Sequence, residues 1–92
     1  MGDAIIRHDE VRQRFELVVE GHVCELDYRQ SQGVMSILHT GVPEAISGRG
    51  LAGRLVERAF EEARLRGWKV RPACSYAGDW VRRHPEVADL LA

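Results

Sequence analysis

Lysine is almost absent from this sequence: Lys69 stands alone against twelve arginines. Basic and acidic residues nearly balance, 13 against 14, for a net charge of −1. The basic excess of a general nucleic-acid binder is therefore missing, and no nucleic-acid partner is expected. Cysteine is scarce. Cys24 and Cys74 lie far apart with no C-x-x-C partner, which fits free thiols in a reducing cytoplasm better than a disulfide scaffold or a zinc site. No apolar run approaches the ~18 residues that span a bilayer. The start "MGDAIIRHDE" lacks the apolar stretch of a secretory signal, and Ile6 stands where a myristoylation pattern needs Ser or Thr. A cytoplasmic protein without a membrane partner is expected. Repeats, low-complexity tracts and linkers are also missing, so residues 1–92 are expected to form a single domain.

What is there is periodic. In "RFELVVEG", Phe15, Leu17 and Val19 alternate with Glu16, Val18 and Glu20. After Gly21 the alternation resumes in "HVCELDYR", with Cys24, Leu26 and Tyr28 on one side and Glu25, Asp27 and Arg29 on the other. These runs predict a half-solvated hairpin. A turn at "QSQG" leads to "VMSILHTGV", apolar on both faces, as a strand covered on both sides would be. Ala4–Val11 carries a weak signal for a further edge strand.

From Gly48 the period changes. Leu51, Ala52, Leu55, Val56, Ala59, Phe60 and Ala63 form an amphipathic helical stripe, with Arg54, Arg58, Glu61, Glu62 and Arg66 on the solvated side. Gly67 closes the helix. "WKVRPAC" predicts an edge strand, since Pro72 cannot donate to a ladder. A second helix over Tyr76–Arg83 follows, with Ser75 as its N-cap, and "EVADLLA" makes a terminal turn. The order is β-β-β-α-β-α: a small mixed α/β fold with four or five strands. Its helix-linked strands are parallel through a right-handed crossover.

Gly48-Arg49-Gly50-Leu51-Ala52-Gly53 satisfies G-x-G-x-x-G. A dinucleotide site needs the glycines directly after a strand, and an acidic residue ending the next strand. Here "PEAIS" intervenes and the next strand ends "RPACS". No GK[ST] follows, which excludes a P-loop. Either the glycines only let a helix pack closely, or they open a phosphate site. The second reading has a physical basis: unpaired amides and the positive dipole end converge at a helix start, between the carboxyl ends of two parallel strands. Arg49 and Arg54 would add mobile positive charge.

The segment "HTGVPEAISGRGLAGRLVERAFEEARLRGWKV" resembles the acetyl-CoA-binding core of the GNAT superfamily of N-acetyltransferases. The signature Q/R-x-x-G-x-G/A reads here as Ser47-Gly48-Arg49-Gly50-Leu51-Ala52, with Ser47 replacing the usual first residue. With "PACSYAGDWVRRHPE" added, the resemblance sharpens to very short stand-alone members that carry a cysteine after the strand following the motif helix. It covers about residues 14–86.

The resemblance implies that acetyl-CoA is a co-substrate and that no metal is used. Its pyrophosphate would sit on backbone amides of Ser47, Gly48, Arg49, Gly50, Leu51, Ala52 and Gly53, near Arg54. Its pantetheine arm would pair with the exposed backbone at Thr40, Gly41 and Val42, as an added strand. The acceptor would be an amine on a small molecule or a protein.

Two side chains fall at the mouth of that cleft, His39 and Cys74. His39 reads either as a packed strand histidine or as a general base, acting directly, through water or on Cys74. Cys74 reads either as a small buried residue or as a catalytic thiol, donating a proton to the departing sulfur or carrying the acetyl group. The tyrosine acid of many family members has its place taken by Trp80, with Tyr76 an alternative only if it turns inward. Glu44 is a minor base candidate. Cys24, Phe60 and Trp68 read as core, His8 and His22 as solvated loop residues, and His84 as packing before Pro85. An acyl-CoA-binding or regulatory module without turnover, or a partner-binding domain that has lost the ligand, are the competing functional classes.

Overall fold

The computed structural model describes residues 5–92; Ala4 and the residues before it lie outside the described part. Strands β1 (Ile6–Asp9), β2 (Arg14–Val19), β3 (His22–Ser31) and β4 (Val34–Gly41) are followed by helix α1 (Leu51–Arg66), strand β5 (Lys69–Pro72) and helix α2 (Ser75–Arg82). Short 3-10 turns occupy Glu44–Ile46 and Pro85–Leu90. The sheet order is β1-β2-β3-β4-β5, antiparallel except for the parallel β4–β5 pair that α1 connects. The weak N-terminal signal is thus a fifth, edge strand. β5 lies at the other edge, where Pro72 needs no ladder partner; Leu91 makes a single parallel bridge to Val70.

The alternation of the hairpin maps onto the two faces as expected. Phe15, Leu17, Cys24, Leu26, Tyr28, Met35, Ile37 and Val70 are buried beneath α1, which contributes Leu55, Val56, Ala59, Phe60 and Ala63. Each fully buried Phe, Leu or Ile adds about 2 kcal/mol. The other face of the sheet is open among the described residues. This corrects the expectation for residues 34–42: Leu38 is 47% exposed, because both helices follow the crossover onto one side and leave the fold two layers thick.

Two further expectations change. Glu62 is buried, 6% exposed, rather than solvated, and His8 lies on β1 rather than in a loop. His22 likewise begins β3 and is half-buried. The His8 ring stacks on Phe15 at 4.2 Å between centroids, bonds the Tyr28 hydroxyl at 2.6 Å, and lies 3.8 Å from Glu62 Oε1. Arg58 and Arg66 reach Glu62 at 2.9 and 2.7 Å from the turns before and after it. The Arg58 guanidinium also lies over the Phe15 ring, 5.3 Å from its centroid, and its buried Nη1 has no hydrogen-bond partner.

Burial lowers the His8 pKa from its ordinary 6.5, against the opposing pull of Glu62. Burial would raise the Glu62 carboxyl, but the Arg58 hydrogen bond and charge, with His8 and Arg66, hold it below its ordinary 4.5. In both cases the unfolded chain binds a proton at a higher pH than the folded one. Their contribution is complete above 6.5 and 4.5 respectively, and is lost as pH falls through the two lower folded values. The thermal midpoint should therefore fall on acidification from pH 7 to pH 4. His8→Gln should flatten the upper part of that dependence, as differential scanning calorimetry across this range would show.

Candidate active site

Beyond Ile37, β4 and β5 part. Their pairing runs from Val34↔Lys69 to Ile37↔Pro72 and stops. At that point Ile37 O accepts from both Ala73 N and Cys74 N, at 3.0 Å each. The β4 main chain from Leu38 to Gly41 then keeps β3 on one edge and has no β5 partner on the other. A wedge opens there, with the end of β4, Thr40–Gly41, on one wall.

A bulge decides which side chains enter the wedge. Tyr28 faces Ile37 and Asp27 faces His39, so Leu38 is the extra residue. Before the bulge, Met35 and Ile37 point under the helices. After it the alternation is reversed. His39 shares the open face with its cross-strand partner Asp27, and Thr40 shares the helix face with buried Leu26. Thr40 Oγ1 accordingly lies 3.7 Å from Cys74 Sγ, whereas His39 Nε2 lies 3.2 Å from Glu25 Oε2. His39 and Cys74 thus flank the same wedge on different sides. The expectation that His39 could act on Cys74 is corrected, since each is held by another partner.

Cys74 is the N-cap of α2, in place of the expected Ser75. Its backbone is extended, at φ −87° and ψ 152°, and its sulfur accepts from Ala77 N at 3.4 Å. Cys74 is half-buried, at the edge of the core.

Across the wedge, α1 begins without a side-chain cap. Gly50 is the N-cap at φ +74° and Gly48 lies at φ +79°, left-handed conformations that suit glycine. A Cβ at either would meet nothing within 4 Å, so the space above this turn is open. Arg54 N bonds Gly50 O at 3.2 Å, the first closure of the helix. The amides of Leu51, Ala52 and Gly53 precede it and have no acceptor one turn back. Ser47 turns away from them: its N and Oγ donate to Glu44 O at 3.1 and 2.9 Å. Arg49 differs from its expected mobile role. It holds Glu20 in a forked pair at 2.8 and 3.4 Å, and that hydrogen bond and charge keep the Glu20 carboxyl below the usual range. Arg54 is exposed on the first turn. Glu44 is exposed in the 3-10 turn before the glycines.

Gly53 has a second role, in packing. A Cβ there would stand 3.2 Å from the Tyr76 hydroxyl and 3.5 Å from Trp80 Nε1. Tyr76 is therefore turned inward, over the first turn of α1. Trp80 is buried between Phe60 and His84, whose ring stacks at 3.7 Å and whose Nδ1 lies 2.8 Å from Trp80 O. Sequence reasoning missed Glu25, read only as part of a solvated face, and the Thr40 hydroxyl. Both owe their place to register across strands.

A family model described as GCN5-related N-acetyl-transferase matches residues 14–90. The chain is 27% identical over 88 residues to Protein NATD1 of Mus musculus, across 91% of this chain and 79% of that protein. An NMR solution structure of a GCN5-like protein from Staphylococcus aureus matches at TM-score 0.78 and 25% identity, covering all of this chain and 91% of that one.

Proposed function

Because this chain belongs to the GCN5-related N-acetyltransferase family, we propose that it transfers an acetyl group from acetyl-CoA to the nitrogen of an amine. One observation carries the reading: the uncapped start of α1, with open space above Gly48 and Gly50, faces the wedge between β4 and β5. The residues fit the co-substrate. The amides of Leu51, Ala52 and Gly53 would hold the diphosphate on unpaired donors at a positive dipole end, above the glycine turn of Gly48 and Gly50. The free edge of Thr40, Gly41 and Val42 would hold the amide-bearing arm by strand-like hydrogen bonds. Bound acetyl-CoA supplies an acetyl group activated as a thioester.

His39 is the proposed general base. It stands half-exposed on the open face, where an acceptor amine has access, and takes the proton that the amine must lose. Cys74 is the proposed acid. It holds a proton at Sγ beside the Thr40 hydroxyl, at the inner end of the wedge. Tyr76, reaching toward the same turn of α1, is a second hydroxyl near the site.

Titration calorimetry with acetyl-CoA, followed by a thiol-release assay across small amines, lysine peptides and peptide N-termini, tests the proposal. Saturable binding in the micromolar range and amine-dependent thiol release are expected. Absence of binding at millimolar acetyl-CoA would reject it.

A further inference from the structure

We infer that Glu25 is a positioning residue for the reaction proposed above: its carboxylate holds His39 by Nε2 and leaves Nδ1 as the basic nitrogen. The inference rests on His39 being the base. Three separate features of the fold converge on this pair.

The first is the bulge at Leu38. Without the extra residue, position 39 would keep the alternation of Met35 and Ile37 and point beneath the helices. The second is the choice of acid. Asp27 stands directly opposite His39, yet its carboxylate is engaged by Arg14, with Nε–Oδ1 at 2.7 Å and Nη2–Oδ2 at 3.4 Å. Arg14 also reaches Glu16 at 3.5 Å. Glu25 is the acid of this face whose oxygen goes to the histidine, at 3.2 Å.

The third feature is Gly41, the cross-strand partner of Glu25. A Cβ at position 41 would lie 2.5 Å from Glu25 Oε2 and 3.0 Å from His39 Nε2. The space that a side chain would fill is occupied by the Glu25–His39 contact. A glycine here serves that contact as well as the close approach of a ligand to the β4 edge.

The chemistry follows from the ring. A carboxylate accepts only, so Nε2 carries the hydrogen and Nδ1 carries the lone pair. When Nδ1 takes a proton from the acceptor, R–NH3+ becomes R–NH2 and the imidazole becomes an imidazolium. Glu25 then faces that cation at hydrogen-bond distance. The carboxylate partners of metal-bound histidines are typically worth 10–100-fold in activity, and a partner that fixes the tautomer of a general base is expected to fall in a similar range. Because His39 is half-exposed, solvent screens part of the charge effect, and the lower end of that range applies. The charged groups facing His39 are Glu25, Asp27 and Arg29 on β3, Arg14 and Glu16 on β2, and Arg12 in the turn before β2.

The test compares wild type, Glu25→Gln, Glu25→Asp and Gly41→Ala, each first shown to be folded by circular dichroism. Nitrogen-15 NMR of the imidazoles reads the pair without any substrate. Wild type should show His39 hydrogen-bearing at Nε2, with a downfield Nε2 proton. Glu25→Gln and Gly41→Ala should both lose that downfield position, and Glu25→Asp should keep it in part. In turnover, Glu25→Gln should lower kcat about tenfold and leave acetyl-CoA affinity unchanged. A wild-type His39 hydrogen-bearing at Nδ1, or ring signals indifferent to both Glu25→Gln and Gly41→Ala, would overturn the inference. Should the NMR signature be present and thiol release absent in wild type, the pair stands as a contact and its catalytic role fails along with the transferase proposal.

Discussion

Replacing Gly50 with glutamate is expected to abolish measurable acetyl-CoA binding while leaving the domain folded. Gly50 caps α1 at φ +74° with open space around its missing Cβ. A non-glycine residue in that conformation costs of the order of 1–2 kcal/mol. A carboxylate beside the first turn recovers up to about 1 kcal/mol from the helix dipole. The net effect on stability is therefore small. The effect on binding is large, because the new carboxylate takes the place proposed for a diphosphate. Like charges in one site cost several kcal/mol, and about 2.7 kcal/mol is already a hundredfold in affinity. Gly50→Ala separates the terms, since it carries the backbone strain without the charge and should bind only severalfold more weakly. Calorimetry on both variants decides it. A Gly50→Glu protein that binds acetyl-CoA like wild type would remove the diphosphate from this turn.

The second large effect is expected at Cys74. Cys74→Ala removes the proposed acid and should lower kcat by about 10²–10⁴-fold, the usual worth of a positioned acid or base. It also removes the cap that receives Ala77 N, a loss of about 1 kcal/mol that shifts the melting temperature by several degrees. Cys74→Ser dissects the two. Its hydroxyl is a good N-cap, so stability should return, while a hydroxyl is a far weaker acid than a thiol and turnover should stay low. Acetyl-CoA affinity should be near normal in both variants. If Cys74→Ser restores turnover along with stability, the cysteine acts through the helix it caps. Mass spectrometry after brief exposure of wild type to acetyl-CoA checks the other role considered for this thiol. An adduct of one acetyl group lost in Cys74→Ser would make it an acyl carrier rather than an acid.

The candidate site was legible in unequal parts. The helix start was readable, since Gly48, Gly50 and the apolar stripe of α1 are neighbours in sequence and their spacing carries the geometry. The sides of β2 and β3 were readable because Phe15, Leu17, Cys24, Leu26 and Tyr28 alternate without interruption. The bulge at Leu38 was not. The run "VMSILHTGV" has apolar residues of both parities, Val34, Met35, Ile37 and Leu38, which conceals a change of side, so His39 was expected beside Cys74 and stands instead beside Glu25. Arg49 was expected to be mobile because its partner, Glu20, belongs to the β2–β3 turn, 29 residues away. Glu62 was assigned to the solvated side of α1 by helical period. It is buried because His8 and Arg58 meet it there, and the His8 strand was only faintly marked.

Residue order alone determined the elements of this protein, the glycine-opened helix between parallel strands and the family resemblance that goes with them. The elements arise from interactions a few positions apart, and the parallel order of the strands that flank the helix follows from the handedness of their crossover. Only the tertiary structure decided which partner each functional side chain has: Glu25 for His39, Thr40 for Cys74, Glu20 for Arg49. Pairing register is a long-range property, and one inserted residue in a strand reverses the side on which every later side chain lies.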